Sequence, residues 1–138
     1  MSEATIATIG FLVLALIEGF NGIGLAFRTK RTLESAGLDY TNGPGVLIQE
    51  FGIYSLGMAV AYLIAASDPV RFGGVGLMGM MINLGAGTMH LFRSVGVYVG
   101  DARPMLGRLF ERKAGIVHTF AVLVLVLNQT GLGSVICS

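Results

Sequence analysis

The sequence predicts an all-α protein, an integral membrane four-helix bundle with both termini outside and its basic loops in the cytoplasm. Three observations carry that prediction. The 138 residues are 54% hydrophobic and only 12% charged, with a mean hydropathy of +0.76, whereas a soluble domain carries about 25% charged residues. Four apolar stretches, about Ala4–Phe27, Val46–Ala66, Gly73–Val97 and Ala114–Leu132, each approach the roughly 20 residues that cross the hydrocarbon of a bilayer. Alternation of period two is absent, and in lipid a chain that is not a closed barrel must satisfy its backbone within helices.

The same composition narrows the function. A formal net charge of +1 gives no field for nucleic acid. The lone cysteine, Cys137, permits neither an intrachain disulfide nor a cysteine metal cage. The 21 glycines would weaken soluble helices but suit close helix approach in lipid. The length is that of one domain, and 1–138 is read as a single transmembrane unit.

In chain order, Met1-Ser-Glu-Ala lacks the basic start of a secretory signal, so the first apolar run is read as a retained helix. The first connection, Arg28–Gly45, begins basic and ends in Asn42-Gly43-Pro44-Gly45, a turn signal before the second span. It leaves room for a short interfacial helix over Thr32–Ala36. Ser67-Asp68-Pro69-Val70-Arg71 reads as a tight turn in which Ser or Asp caps and Pro opens the third span. The third connection, Tyr98–Lys113, interleaves Asp101, Arg103, Arg108, Glu111, Arg112 and Lys113 with Leu106, Leu109 and Phe110, the pattern of an amphipathic segment lying on a membrane surface. Arg28, Lys30, Arg31, Arg103, Arg108, Arg112 and Lys113 fall in the first and third connections, against Arg71 alone elsewhere outside the spans. By the positive-inside rule those two connections are cytoplasmic.

Candidate function sits in the polar residues inside the spans, chiefly in Gly79–Gly96, GMMINLGAGTMHLFRSVG. An ionisable side chain at the centre of a membrane helix costs roughly 2.5–3.5 kcal/mol on insertion scales, so it faces protein or a water-filled cavity. His90 therefore needs partners. Glu18, Glu50 and His118 measure to a similar depth from the cytoplasmic side, in a layer roughly 6–14 Å down at 1.5 Å per residue. These four are the candidate acid–base residues, with Asn21, Tyr54, Asn83 and Arg93 as candidate ligand-binding neighbours. The expectation is that His90 lies within direct or one-water reach of Glu18, Glu50 or His118.

Stripes at spacings of three and four agree with this. They run through Ala15, Glu18, Asn21 and Gly22, then Glu50, Tyr54, Gly57 and Ala61, then Asn83, Gly87, His90 and Ser94, and finally Glu111, Gly115, His118 and Ala121. Small residues admit close backbones and polar ones bond across. The layer can be purely structural, with the carboxylates and imidazoles paired. It can carry acid–base chemistry on an isoprenoid-like, quinone-like or sterol-like molecule, or serve as a proton relay in a homo-oligomer. A Glu2His2 metal site lacks the Glu-x-x-His spacing of carboxylate-bridged bundles. Haem would need both imidazoles facing one slot, and Met78, Met80, Met81 and Met89 serve packing more readily than copper binding.

From Gly45 to His90, the acid in VLIQEFGIYSLGMAVAYLIAASDP, the small-residue face, the Pro-containing turn and the histidine of GTMHLF together resemble the DoxX-like superfamily of small bacterial four-helix membrane proteins. The resemblance covers the second and third spans best, and only Glu50 and His90 fall on its pattern. It implies a bundle in a bacterial inner membrane, and some members resemble membrane subunits of quinone-linked oxidoreductases. The leading expectation is thus a protein with a cytoplasm-facing intramembrane cavity for a lipophilic or quinone-like ligand, its cofactor unspecified. The rival is an accessory or assembly subunit of a larger membrane complex.

Overall fold

The computed structural model describes residues 2–35, 42–97 and 108–136. Over them the chain is all-helical: α1 (Glu3–Phe27), α2 (Thr29–Ser35), α3 (Asn42–Ser67), α4 (Gly73–Ser94) and α5 (Arg108–Ile136). Glu3–Phe27, Leu47–Ser67 and Gly73–Ser94 are each long and apolar enough to cross a membrane.

Each boundary has a local cause. Ser2 caps α1 by accepting from the Thr5 amide. The short helix α2 follows α1 after a break at Arg28 and starts three residues earlier than the sequence suggests. Asn42-Gly43-Pro44-Gly45 is not a turn ahead of α3 but its first turn, where a proline's missing N–H costs nothing. Asp68 caps the turn after α3, accepting from the Arg71 amide at 3.1 Å. Neither it nor Pro69 opens α4, which begins at Gly73 without a side-chain cap.

The helix α4 stops at Ser94, short of the predicted Val97. Gly96 takes φ 86°, the Val97 amide donates to Phe92 O at 2.9 Å and the Gly96 amide to Arg93 O at 3.1 Å. This Schellman ending needs a residue that tolerates positive φ. At the other side of that connection, Arg108–Lys113 form the opening turns of α5 and not a segment separate from it. The remainder of the proposed surface segment, 98–107, lies outside the described residues.

The helices associate as two antiparallel pairs, α1 with α3 and α4 with α5, joined mainly where α5 crosses α1. A shared core, Phe11, Leu14, Ala15, Tyr62, Ala65, Ala66, Ala121 and Leu125, occupies the half of the bundle nearer the start of α1. Phe11 and Tyr62 stack there at 6.0 Å. Alanine dominates inside, while Phe20, Phe27, Met81 and Phe51 point outward, Phe20 being 77% exposed. That inversion of size, small within and large without, is the packing expected of helices in lipid.

Candidate functional site

Between α4 and α5 the chain builds a polar seam. Asn83, Gly87 and His90 on α4 and Glu111, Gly115 and His118 on α5 share one spacing, four residues then three. In an antiparallel pair that spacing matches Asn83 with His118 and His90 with Glu111, on rungs two turns, roughly 10 Å, apart. The glycines let the helices close. A Cβ on Gly87 would stand 3.0 Å from His118 Cβ, and one on Gly115 would stand 2.7 Å from Leu91 Cδ2.

The lower rung joins His90 Nδ1 to Glu111 Oε2 at 2.5 Å. Glu111 is buried, with its side chain 1% exposed against 20% for His90. The geometry is that of an imidazole held by a carboxylate, with Nδ1–H donated and Nε2 left for another partner. In the upper rung Asn83 Nδ2 donates to Gly79 O at 2.8 Å, which fixes the amide with Oδ1 toward His118 Nδ1, 2.7 Å away. This network assigns the His118 proton to Nδ1 and leaves Nε2 as an acceptor. Across Gly87 the two imidazoles stack, with centroids 5.4 Å apart and planes within 6°.

The lone pair of Nε2 lies in its ring plane, so the two lone pairs lie in planes nearly parallel to one another. Among the described residues no three His, Cys, Asp or Glu side chains converge. Of the α4 methionines, Met78 and Met81 point outward and Met80 packs on the core.

Two buried polar atoms among the described residues have no hydrogen-bond partner, Glu111 Oε1 and Tyr62 Oη. The Tyr62 hydroxyl presses on Gly79, where any Cβ would collide with it, and it faces Asn83 without hydrogen-bond geometry. An unmet buried acceptor or donor costs about 1–3 kcal/mol, so these atoms mark where a water or a ligand group would be held.

Of the residues singled out in the sequence, His90 and His118 meet directly and Asn83 joins them. Glu18 belongs to the other pair: it is half-buried on α1 and faces Ser55 of α3. Glu50, Asn21 and Tyr54 are exposed, Tyr54 by 71%. Arg93 is half-buried in the last turn of α4, where its charge complements the helix dipole. The expected single layer from four helices is thus a two-helix seam that includes Glu111. Glu111 stands two turns before His118 in the same stripe as Gly115, and that periodicity was the available signal for it. Its neighbours Arg112 and Lys113 pointed instead to a solvated rim.

Comparison with protein families, with curated proteins and with solved structures finds no match for this chain.

Proposed function

We propose that this chain is an integral membrane protein whose α4–α5 seam binds a lipophilic, quinone-like ligand and exchanges a proton with it. Helix α5 is the fourth span, both termini lie outside, and the basic ends of α1 and α5 lie in the cytoplasm, following the charge bias of the connections. A bacterial inner membrane and kinship with the DoxX-like superfamily belong to the same reading and rest on the resemblance around Glu50 and His90.

One observation carries the proposal: the 2.5 Å contact of His90 with Glu111, in which the carboxylate is buried and its second oxygen has no partner. Burying such a pair merely to fasten two helices is costly, because a hydroxyl or amide pair would do so with less desolvation. A carboxylate that holds Nδ1–H prepares Nε2 of His90 as a base. A proton leaving a ligand hydroxyl forms the Nε2–H bond, the ligand keeps the electron pair of the broken O–H bond, and Glu111 balances the imidazolium charge.

Native mass spectrometry of the purified chain, followed by titration with a short-chain quinol, tests this. The expected result is a bound quinone-like molecule in the wild type and at least a tenfold weaker quinol affinity in His90→Gln and Glu111→Gln. Equal affinity in all three proteins would sink the proposal.

A second reading, an accessory subunit of a larger complex, is favoured by the exposed glycines Gly57 and Gly85, which have nothing within 4 Å. Such positions suit another helix better than lipid. The same mass spectra separate the readings, since a subunit would arrive with a partner protein or a second copy and without a quinone.

A further inference from the structure

The elbow between α1 and α2 gathers basic residues around a depression. It has a volume of about 540 Å³ and is lined by Ala26, Phe27, Arg28, Lys30, Arg31 and Gln49 among others. Arg28, Lys30 and Arg31 are exposed, and among the described residues only Lys30 has an acidic ion-pair partner, Glu34 at 3.9 Å.

A helix C-terminus is ordinarily a poor place for an anion, because its free carbonyls carry the negative end of the dipole. Here three of the last four carbonyls are occupied. Gly24 O accepts from the Arg28 amide at 3.1 Å and from Thr32 Oγ1 at 2.8 Å. Leu25 O accepts from Thr29 Oγ1 at 2.5 Å, and Ala26 O accepts from Gln49 Nε2 of α3 at 2.9 Å. Arg28, Lys30 and Arg31 therefore face a concavity in which three main-chain acceptors are satisfied and the one carboxylate, Glu34, pairs with Lys30. Phe27, 75% exposed, sits beside them at the end of an apolar span. Polar interface and hydrocarbon thus meet at this point, as they do in a phospholipid.

We infer that the α1–α2 elbow binds the phosphate headgroup of an anionic membrane lipid, with Arg28, Lys30 and Arg31 on the phosphate and the acyl chains over Phe27. Charge bias that sets topology explains how many cations lie in this connection, but not a concavity or the capping of the Gly24, Leu25 and Ala26 carbonyls. The inference rests on α1 spanning the membrane and is independent of any ligand at His90.

The test uses the full chain purified from membranes, with native mass spectrometry reading the retention of phosphatidylglycerol against phosphatidylcholine. Each basic residue near an anionic surface contributes roughly fivefold, so Arg28→Gln/Arg31→Gln is expected to lose about 25-fold in that preference. Arg112→Gln/Lys113→Gln, with the same charge loss on α5, is expected to keep it, as is the charge-conserving Arg28→Lys/Arg31→Lys. Arg31→Gln alone, at an exposed position of α2, gives the same direction should the double variant fail to fold. An equal loss in the elbow and α5 variants would overturn the site in favour of diffuse charge. Displacement of the lipid by millimolar inorganic phosphate would overturn the lipid assignment in favour of a soluble anion. A chain absent from the membrane fraction would refute the span itself.

Discussion

The two helix pairs achieve the same close approach by opposite means. Between α1 and α3 the seam is closed by backbone: a Cβ on Gly22 would stand 2.6 Å from Leu56 Cγ and 2.8 Å from its amide nitrogen, and one on Gly52 would collide with the Ala26 backbone. Between α4 and α5 the glycines alternate with side chains that hydrogen-bond across the gap, His90 to Glu111 and His118 to Asn83. Along the first seam the backbones meet at these glycines, and Glu18 faces Ser55. In the second, polar groups are desolvated and then oriented, a combination that packing alone does not require.

Substitutions can break this contrast at several points. The largest effect is expected for Gly52→Ala, because the atoms it meets are main chain and cannot rotate away. A loss of about 3 kcal/mol should appear as a lowered thermal midpoint in detergent, and retention of wild-type stability would show that the α1–α3 pair is looser than described. His90→Ala should cost about 2 kcal/mol by leaving the Glu111 carboxylate buried without its partner. A double-mutant cycle with Glu111→Gln measures the pair directly, and a coupling energy near zero would mean that the two side chains are not joined.

Asn83→Ala should cost about 1 kcal/mol. It should also free the His118 tautomer, visible as a change in the imidazole nitrogen shifts by NMR. Gly57→Ala, with open space around it, should be neutral or stabilising by less than about 1 kcal/mol in a monomer; a marked loss would reveal a helix packed on that face. The smallest effect is expected for Glu50→Gln, an exposed position, with a change within about 0.5 kcal/mol and unaltered quinol affinity. A large loss of affinity there would move the site toward α3.

The polar stripes of α4 and α5 were visible as residue spacings because a helix repeats every 3.6 residues, and a stripe of Asn, Gly and His survives any rigid placement of the helix. Counting 1.5 Å per residue along each span gives the expectation that Glu18, Glu50, His90 and His118 lie at similar levels. What depth leaves open is azimuth. Glu18 turned toward Ser55 and Glu50 turned outward, because the rotation of α1 and α3 about their axes follows from seating Gly22 against Leu56 and Gly52 against Ala26. Glu111 was misplaced for a different reason. A run of charges before a span reads as a solvated rim, yet α5 extends back to Arg108 and carries one acid of that run into the seam.

Composition and periodicity alone thus determine a helical bundle with long apolar helices, its charge asymmetry, and the stripes on which any site must be built. They do so because these properties depend on the local chain and its solvent. Which stripes face each other was decided by tertiary packing, through contacts between residues far apart in sequence, such as Gly52 with Ala26 and Asn128 with Ala7. That choice joined His90 to Glu111 and left Glu50 on the surface, because helix rotation minimises the gap between backbones and polar side chains take the positions that remain.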